Sequence, residues 1–212
     1  MYLPSHFEEQ RVEVLHQLIR EHPLGTLVTL DAKGLNANHI PFEIDPEPEP
    51  WGTLLGHVAR ANPVWRDFSR TVEALVIFLG AQSYVTPSWY QTKSTTGEVV
   101  PTYNYLAVHA QGSLTIHQER DWLRGFVTRL TNRFEAGRAA PWQVSDAPAA
   151  FIEKQLGAIV GIEIPLTRLI GKWKVSQNRP AADRAGVVRG LNESANADSL
   201  VIARWVEEKN KP

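Results

Sequence analysis

The 212-residue chain contains no cysteine, which removes disulfides, thiolate metal sites and cysteine nucleophiles together. It has no apolar run near the roughly 18 residues a membrane span requires. The longest, Ala74 to Leu79, has the length of a strand. The opening Met1-Tyr2-Leu3-Pro4-Ser5-His6 is followed at once by charged Glu8, Glu9 and Arg11, unlike a secretory leader. A cytoplasmic setting is therefore the expectation. Charge of one sign is not in excess either: 22 basic against 23 acidic residues leave −1. That argues against a protein basic throughout, though not against a local basic patch.

Motifs are missing as well. No GxGxxG opens a dinucleotide site. Gly171-Lys172 runs into Trp173 and is no phosphate loop, and no GxSxG forms a nucleophile elbow. The seven histidines stand at 6, 16, 22, 39, 57, 109 and 117, with no zinc-type spacing. A single axial histidine for haem leaves no spacing signature and stays open.

What is present is a composition 43% hydrophobic and 21% charged, normal for a globular fold, with seven tryptophans against one methionine. Indoles serve cores, ring-binding sites and interfaces alike. Periodicity predicts a helix over Arg11 to Glu21, a hairpin of Thr26 to Leu30 with Leu35 to Ile44, and a strand Thr53 to Val58. A short helix opens at Asn62-Pro63, and Glu73 to Leu79 is a strand apolar enough to be covered on both faces. Ser83 to Thr102 reads as a loop with a Pro87 turn and a flexible Ser94 to Gly97. Tyr103 to His117 reads as one long strand with a bulge at Gly112. Helices follow over Glu119 to Phe134 and Asp146 to Leu156, then strands Ala158 to Ile164 and Leu169 to Val175. The tail Ala181 to Lys211 is helical with a break near Gly190 to Ser194. Closely spaced antiparallel strands without crossover helices favour an α+β fold, a mainly β barrel decorated by helices, in a single domain. Residues 1–118 and 158–176 would form the barrel, and 119–157 and 180–212 the helical decoration.

Three clusters place polar and aromatic groups where a plain barrel needs none. Gly56-His57-Val58-Ala59-Arg60-Ala61-Asn62-Pro63 joins a cation, an imidazole and a helix start, equipment for a phosphate. Asn62 as a mere helix cap, with Arg60 solvated, is the plainer reading. Tyr84 to Lys93 (YVTPSWYQTK) carries rings, hydroxyls and a lysine in a loop. Val100-Pro101-Thr102-Tyr103-Asn104-Tyr105 enters a strand, Tyr103 and Tyr105 sharing one face. A tyrosine ladder in the core would serve equally well.

These motifs, with the opening Met1-Tyr2-Leu3-Pro4, His39-Ile40-Pro41-Phe42, GKWKVSQN at 171–178 and Asp183-Arg-Ala-Gly186-Val-Val-Arg-Gly190-Leu, resemble the PaiB-type family of FMN-binding negative transcriptional regulators. The one departure is Tyr103, where a tryptophan is expected. The resemblance implies an FMN-binding split β-barrel, antiparallel and Greek-key-like, forming a homodimer with FMN in clefts between subunits. It places Arg60 and Asn62 at the FMN phosphate with His39 and His57 nearby. Ser88, Trp89 and Lys93 would line the ring or ribityl chain, Tyr103 and Asn104 the other wall, and Gln177 would reach in. No residue declares itself a catalytic acid or base, so a regulator is favoured over a small flavin-dependent oxidoreductase of the pyridoxamine-phosphate-oxidase type. A haem-binding or haem-degrading split barrel is the second alternative. For DNA the sequence offers Arg168, Lys172, Lys174, Arg179, Arg184 and Arg189 against Asp183, a local +5.

Overall fold

The computed structural model describes residues 1–194 and 196–209. Among the described residues, nine antiparallel strands and six helices make an α+β fold. The strands are β1 (Glu8–Glu9), β2 (Leu24–Asp31), β3 (Gly34–Pro41), β4 (Glu43–Asp45), β5 (Thr53–Ala59), β6 (Ala74–Val85), β7 (Thr102–Gly112), β8 (Thr115–His117) and β9 (Ile159–Lys174). The helices are α1 (Val12–Glu21), α2 (Thr92–Thr95), α3 (Arg120–Glu135), α4 (Ala149–Gly157), α5 (Ala181–Glu193) and α6 (Ala197–Glu208). The sheet runs β3-β2-β6-β7-β9-β5-β4, with β1 and β8 also on β9. It is an open path and not a closed barrel. The chain divides into two compact units, and α1, β6, β7 and β9 contribute to both.

Unit 2 holds residues 19–78 and 110–169. Its β2–β3 hairpin turns at Gly34, whose φ of 120° favours glycine. The expected return strand to Ile44 is broken at Phe42, a fully buried side chain, leaving β4 as a separate piece on β5. Asn62 caps a 3-10 turn, Pro63–Trp65, through Val64 N–H. Helix α3 buries Leu123, and α4 buries Ile152 and Leu156 against it. The start expected at Asp146 is a 3-10 turn, Val144–Asp146, because Pro148 resets the chain before α4.

Unit 1 holds residues 1–18, 79–109 and 170 onward. Strand β6 continues past Leu79 to Val85, and Leu79 is exposed, so its two faces are not both covered there. The segment expected to be flexible overlaps the end of α2, whose first residue, Thr92, is held by Asp183 of α5. Helix α6 starts at Asn196, whose Oδ1 accepts from Asp198 and Ser199 N–H. The end of the predicted tail helix, Asn210 and Lys211, lies outside the described residues.

Two predicted boundaries in the sheet are wrong for local reasons. The long strand from Tyr103 breaks between Gly112 and Thr115, giving β7 and β8; a Cβ at Gly112 would fall 2.1 Å from the Pro165 carbonyl, a close approach only glycine permits. The expected pair Ala158–Ile164 and Leu169–Val175 is one 16-residue strand, β9. Pro165 lies opposite Thr53, where β5 begins, and Leu166 N–H still donates to the Gly52 carbonyl, so the proline does not interrupt the strand; further along, β9 takes β1 as partner at Gly171 and Lys172.

Candidate functional site

In unit 2 the predicted phosphate group is tied into the frame. Arg60 donates from Nε to the Gly157 carbonyl at 2.8 Å, from Nη2 to the Ile159 carbonyl at 3.0 Å and from Nη1 to Gln118 Oε1 at 2.8 Å. Of its five N–H groups two remain. It thereby closes the carbonyl end of α4 onto β9. Asn62 Nδ2 donates to Asn38 Oδ1 at 2.8 Å, and Asn38 donates to Asn36 at 2.8 Å. That amide chain ends at a cleft of about 570 Å³, lined among others by Asn36, Lys33, Pro63 and Arg66. His39 is exposed, its Nδ1 3.1 Å from Thr26 Oγ1, its cross-strand partner.

His57 stands at the edge of an aromatic layer that sequence reading did not anticipate. It lies opposite Gly161 on one side of β9 while His117 lies opposite Gly161 on the other. Gly161 is bare because Trp122 of α3 covers it: an added Cβ would meet the indole at 2.2 Å. Trp122 stacks on His117 at 4.3 Å and 2°, and on Phe126 at 5.5 Å, and Phe126 meets His57 edge-on at 5.7 Å. His117 Nε2 is 2.9 Å from Glu163 and Nδ1 is 3.5 Å from Glu119. His57 Nδ1 is buried without a partner, and burial lowers its pKa. The only sequence signal was His117 two residues before Glu119. A larger cleft, about 740 Å³ and lined by Arg124, Thr128, Asn132, Gln143 and Ile152 among others, contains none of the predicted residues.

In unit 1 the loop cluster is split between framework and free groups. Trp89 packs on the glycine face of α5: a Cβ at Gly190 would be 2.2 Å from its indole, and one at Gly186 would be 1.9 Å from its carbonyl. That explains the Gly186-x-x-x-Gly190 motif. Asp183, almost fully buried, accepts from Thr92 N–H at 2.8 Å and Thr92 Oγ1 at 2.9 Å. Ser88 and Lys93 are exposed and face each other, Nζ to Oγ 3.2 Å. Tyr103 is 48% exposed on β7, whereas Asn104 is wholly buried. Asn104 Nδ2 donates to Ser176 Oγ at 2.9 Å and its Oδ1 has no partner. Gln177 folds back on β9, donating to the Trp173 carbonyl at 2.5 Å and accepting from Val175 N–H at 2.8 Å.

The expected basic stripe is largely turned inward. Lys172 is buried, Lys174, Arg179 and Arg184 are half-buried, and only Arg168 and Arg189 are exposed.

Residues 1–168 match the family model described as "Putative FMN-binding domain". The chain belongs to this family. Among its relatives, the protease synthase and sporulation protein PAI 2 of Bacillus subtilis is 30% identical, over 100% of this chain and 99% of that protein. A protein of Aspergillus fumigatus is 34% identical, over 99% of this chain and 97% of its own length. A solved FAD- and haem-binding protein of Mycobacterium smegmatis shares the fold, with TM-score 0.58 at 19% identity over 79% of this chain and 73% of that one. Family membership fits the groups that are exposed: a cation and a hydroxyl at Lys93 and Ser88, an open ring at Tyr103 and an imidazole at His39. FMN demands a phosphate donor, a ring wall and edge polar groups.

Proposed function

We propose that the protein binds FMN and acts as a PaiB-type negative transcriptional regulator. The observation that carries FMN binding is Tyr103. A tyrosine ring 48% exposed on a strand, in a motif matching the family, is a surface that gains by being covered by a planar ligand. Lys93 and Ser88 supply donors in the same unit. Asn104, Trp89 and Gln177 act indirectly, tying down the strand ends and the loop through Ser176, α5 and Trp173. In unit 2, His39 is exposed, and Arg60 retains two N–H groups while Asn62 caps the turn that follows the strand. FMN, when bound, supplies redox chemistry that the side chains lack.

The edge strand β3 carries Leu35, 80% exposed, opposite Leu30 at 38% on β2. Such an edge favours pairing with a second copy, so a homodimer belongs to this reading. Titration with FMN, followed by flavin absorbance and by light scattering for mass, tests both. Micromolar or tighter binding to a dimer is expected, with Tyr103→Ala or Lys93→Ala weakening it about tenfold. Absence of binding, or variants equal to wild type, overturns the FMN assignment. Gel shifts on the DNA upstream of its own coding region, with and without FMN, test the regulator role. Retention that ignores sequence and fades with salt would reject it.

A further inference from the structure

The lysines flanking Trp173 are left without opposite charge. Lys172 and Lys174 are two apart on β9 and share a face. Lys172, 7% exposed, donates to the Tyr2 carbonyl at 3.0 Å, its Nζ 5.6 Å from the Tyr2 ring and 5.5 Å from the Tyr105 ring. Lys174 donates to Thr102 Oγ1 at 2.5 Å and to the Tyr103 carbonyl at 2.6 Å. Arg179 stacks over the Tyr90 ring at 4.7 Å. Arg184 donates to the Arg179 carbonyl and keeps a buried Nε without a partner. No ion pair engages any of these four cations among the described residues. Glu8, opposite Lys172 in register, has its carboxylate on Gln10, and Asp183 has its own on Thr92. Burial first, then Lys172 and Arg179, push Lys174 below the ordinary lysine range.

The strand end that carries the lysines is also locked. Ser176 adopts φ 64°, a left-handed conformation unfavourable for a side chain, and is held by Asn104 and by the Gln177 cap across Trp173 and Val175. Unpaired, partly desolvated cations cost stability unless something outside the chain neutralises them. A strained, over-determined backbone beside them keeps them in place for that purpose.

We propose that the end of β9 in unit 1 is a binding site for a small dianion, a phosphate or dicarboxylate group, held by Lys172 and Lys174 beside the Tyr105 ring. It is an effector or substrate site separate from the phosphate of FMN itself. Only that last distinction rests on the FMN reading.

The test is thermal melting of the full chain against increasing inorganic phosphate, with ionic strength held constant by chloride. A saturable rise of roughly 5–10 °C at a hundredfold excess over Kd is expected. Lys174→Met and the milder Lys174→Gln lose the rise and, without phosphate, melt no lower than wild type. Arg168→Ala, an equal charge change at an exposed position, keeps it. With saturating FMN the rise persists, and Lys174→Gln binds FMN as wild type does. A rise that never saturates in wild type, or that survives both Lys174 variants, overturns the site. Loss of the rise under FMN, with Lys174→Gln weakening FMN in parallel, overturns it by assigning the lysines to the cofactor's phosphate. A saturable rise in a protein that binds no FMN leaves the anion site standing and removes the FMN reading.

Discussion

Gly190 shows how one missing side chain shapes unit 1. Its Cα faces the Trp89 indole, so Gly190→Ala puts a methyl 2.2 Å from the ring and forces α5 or the loop to shift. A loss of about 1–3 kcal/mol is expected in urea unfolding. Gly137→Ala, with open space around it, serves as the near-neutral control. The glycine spacing was readable in sequence as a motif, but its purpose was not. Read alone, Trp89 in a hydroxyl-rich loop suggests a ligand wall, and only the packing shows the glycines as its seat. Asn62 is the opposite case. Asn-Pro at a strand end announces a cap, and the cap is there.

At the scale of elements, α3 acts through its aromatic layer. Trp122 and Phe126, four apart, share a helix face and lie over Gly161 between His57 and His117. Gly161→Ala therefore displaces the indole at a cost of about 2–3 kcal/mol, visible as a changed near-ultraviolet dichroism and a lower urea midpoint. Adding Trp122→Leu should recover part of the loss, since the clash and the ring are one interaction. Strand β9 is the element least legible in the sequence. Pro165 looks like a strand terminator, yet it stands inside one continuous strand, opposite the first residue of β5, with β1 paired further along at Gly171 and Lys172.

Across the whole chain, the near-zero net charge hides strong local contrasts. Glu9 is buried; burial would raise its pKa, yet hydrogen bonds from Arg11 and Lys209 bring it down to about 2. A carboxylate whose pKa falls on folding stabilises the fold above the unfolded value of about 4.5 and loses that contribution as pH drops toward 2. The effect amounts to about 3 kcal/mol, so acid unfolding of wild type should steepen between pH 4.5 and 2 and flatten in Glu9→Gln. His57, lowered by burial, adds an earlier loss that begins below its unfolded value near pH 6.5. No described helix is long and apolar enough to cross a membrane.

Elements that depend on neighbours along the chain are written in the local amino-acid pattern. The amphipathic α1, the β2–β3 hairpin and the Asn62 cap follow from periodicity, turn residues and local hydrogen bonds. The sequence also carried the family motifs, which are short and contiguous. Tertiary structure alone decided which motif residues face outward and which are structural. Arg60 closing α4, Trp89 seated on α5 and Lys172 buried without a carboxylate all depend on residues far away in sequence, whose arrival no local pattern records. The basic run from Arg168 to Arg189 is the clearest instance: composition makes it one charged stripe, and folding turns most of its cations inward.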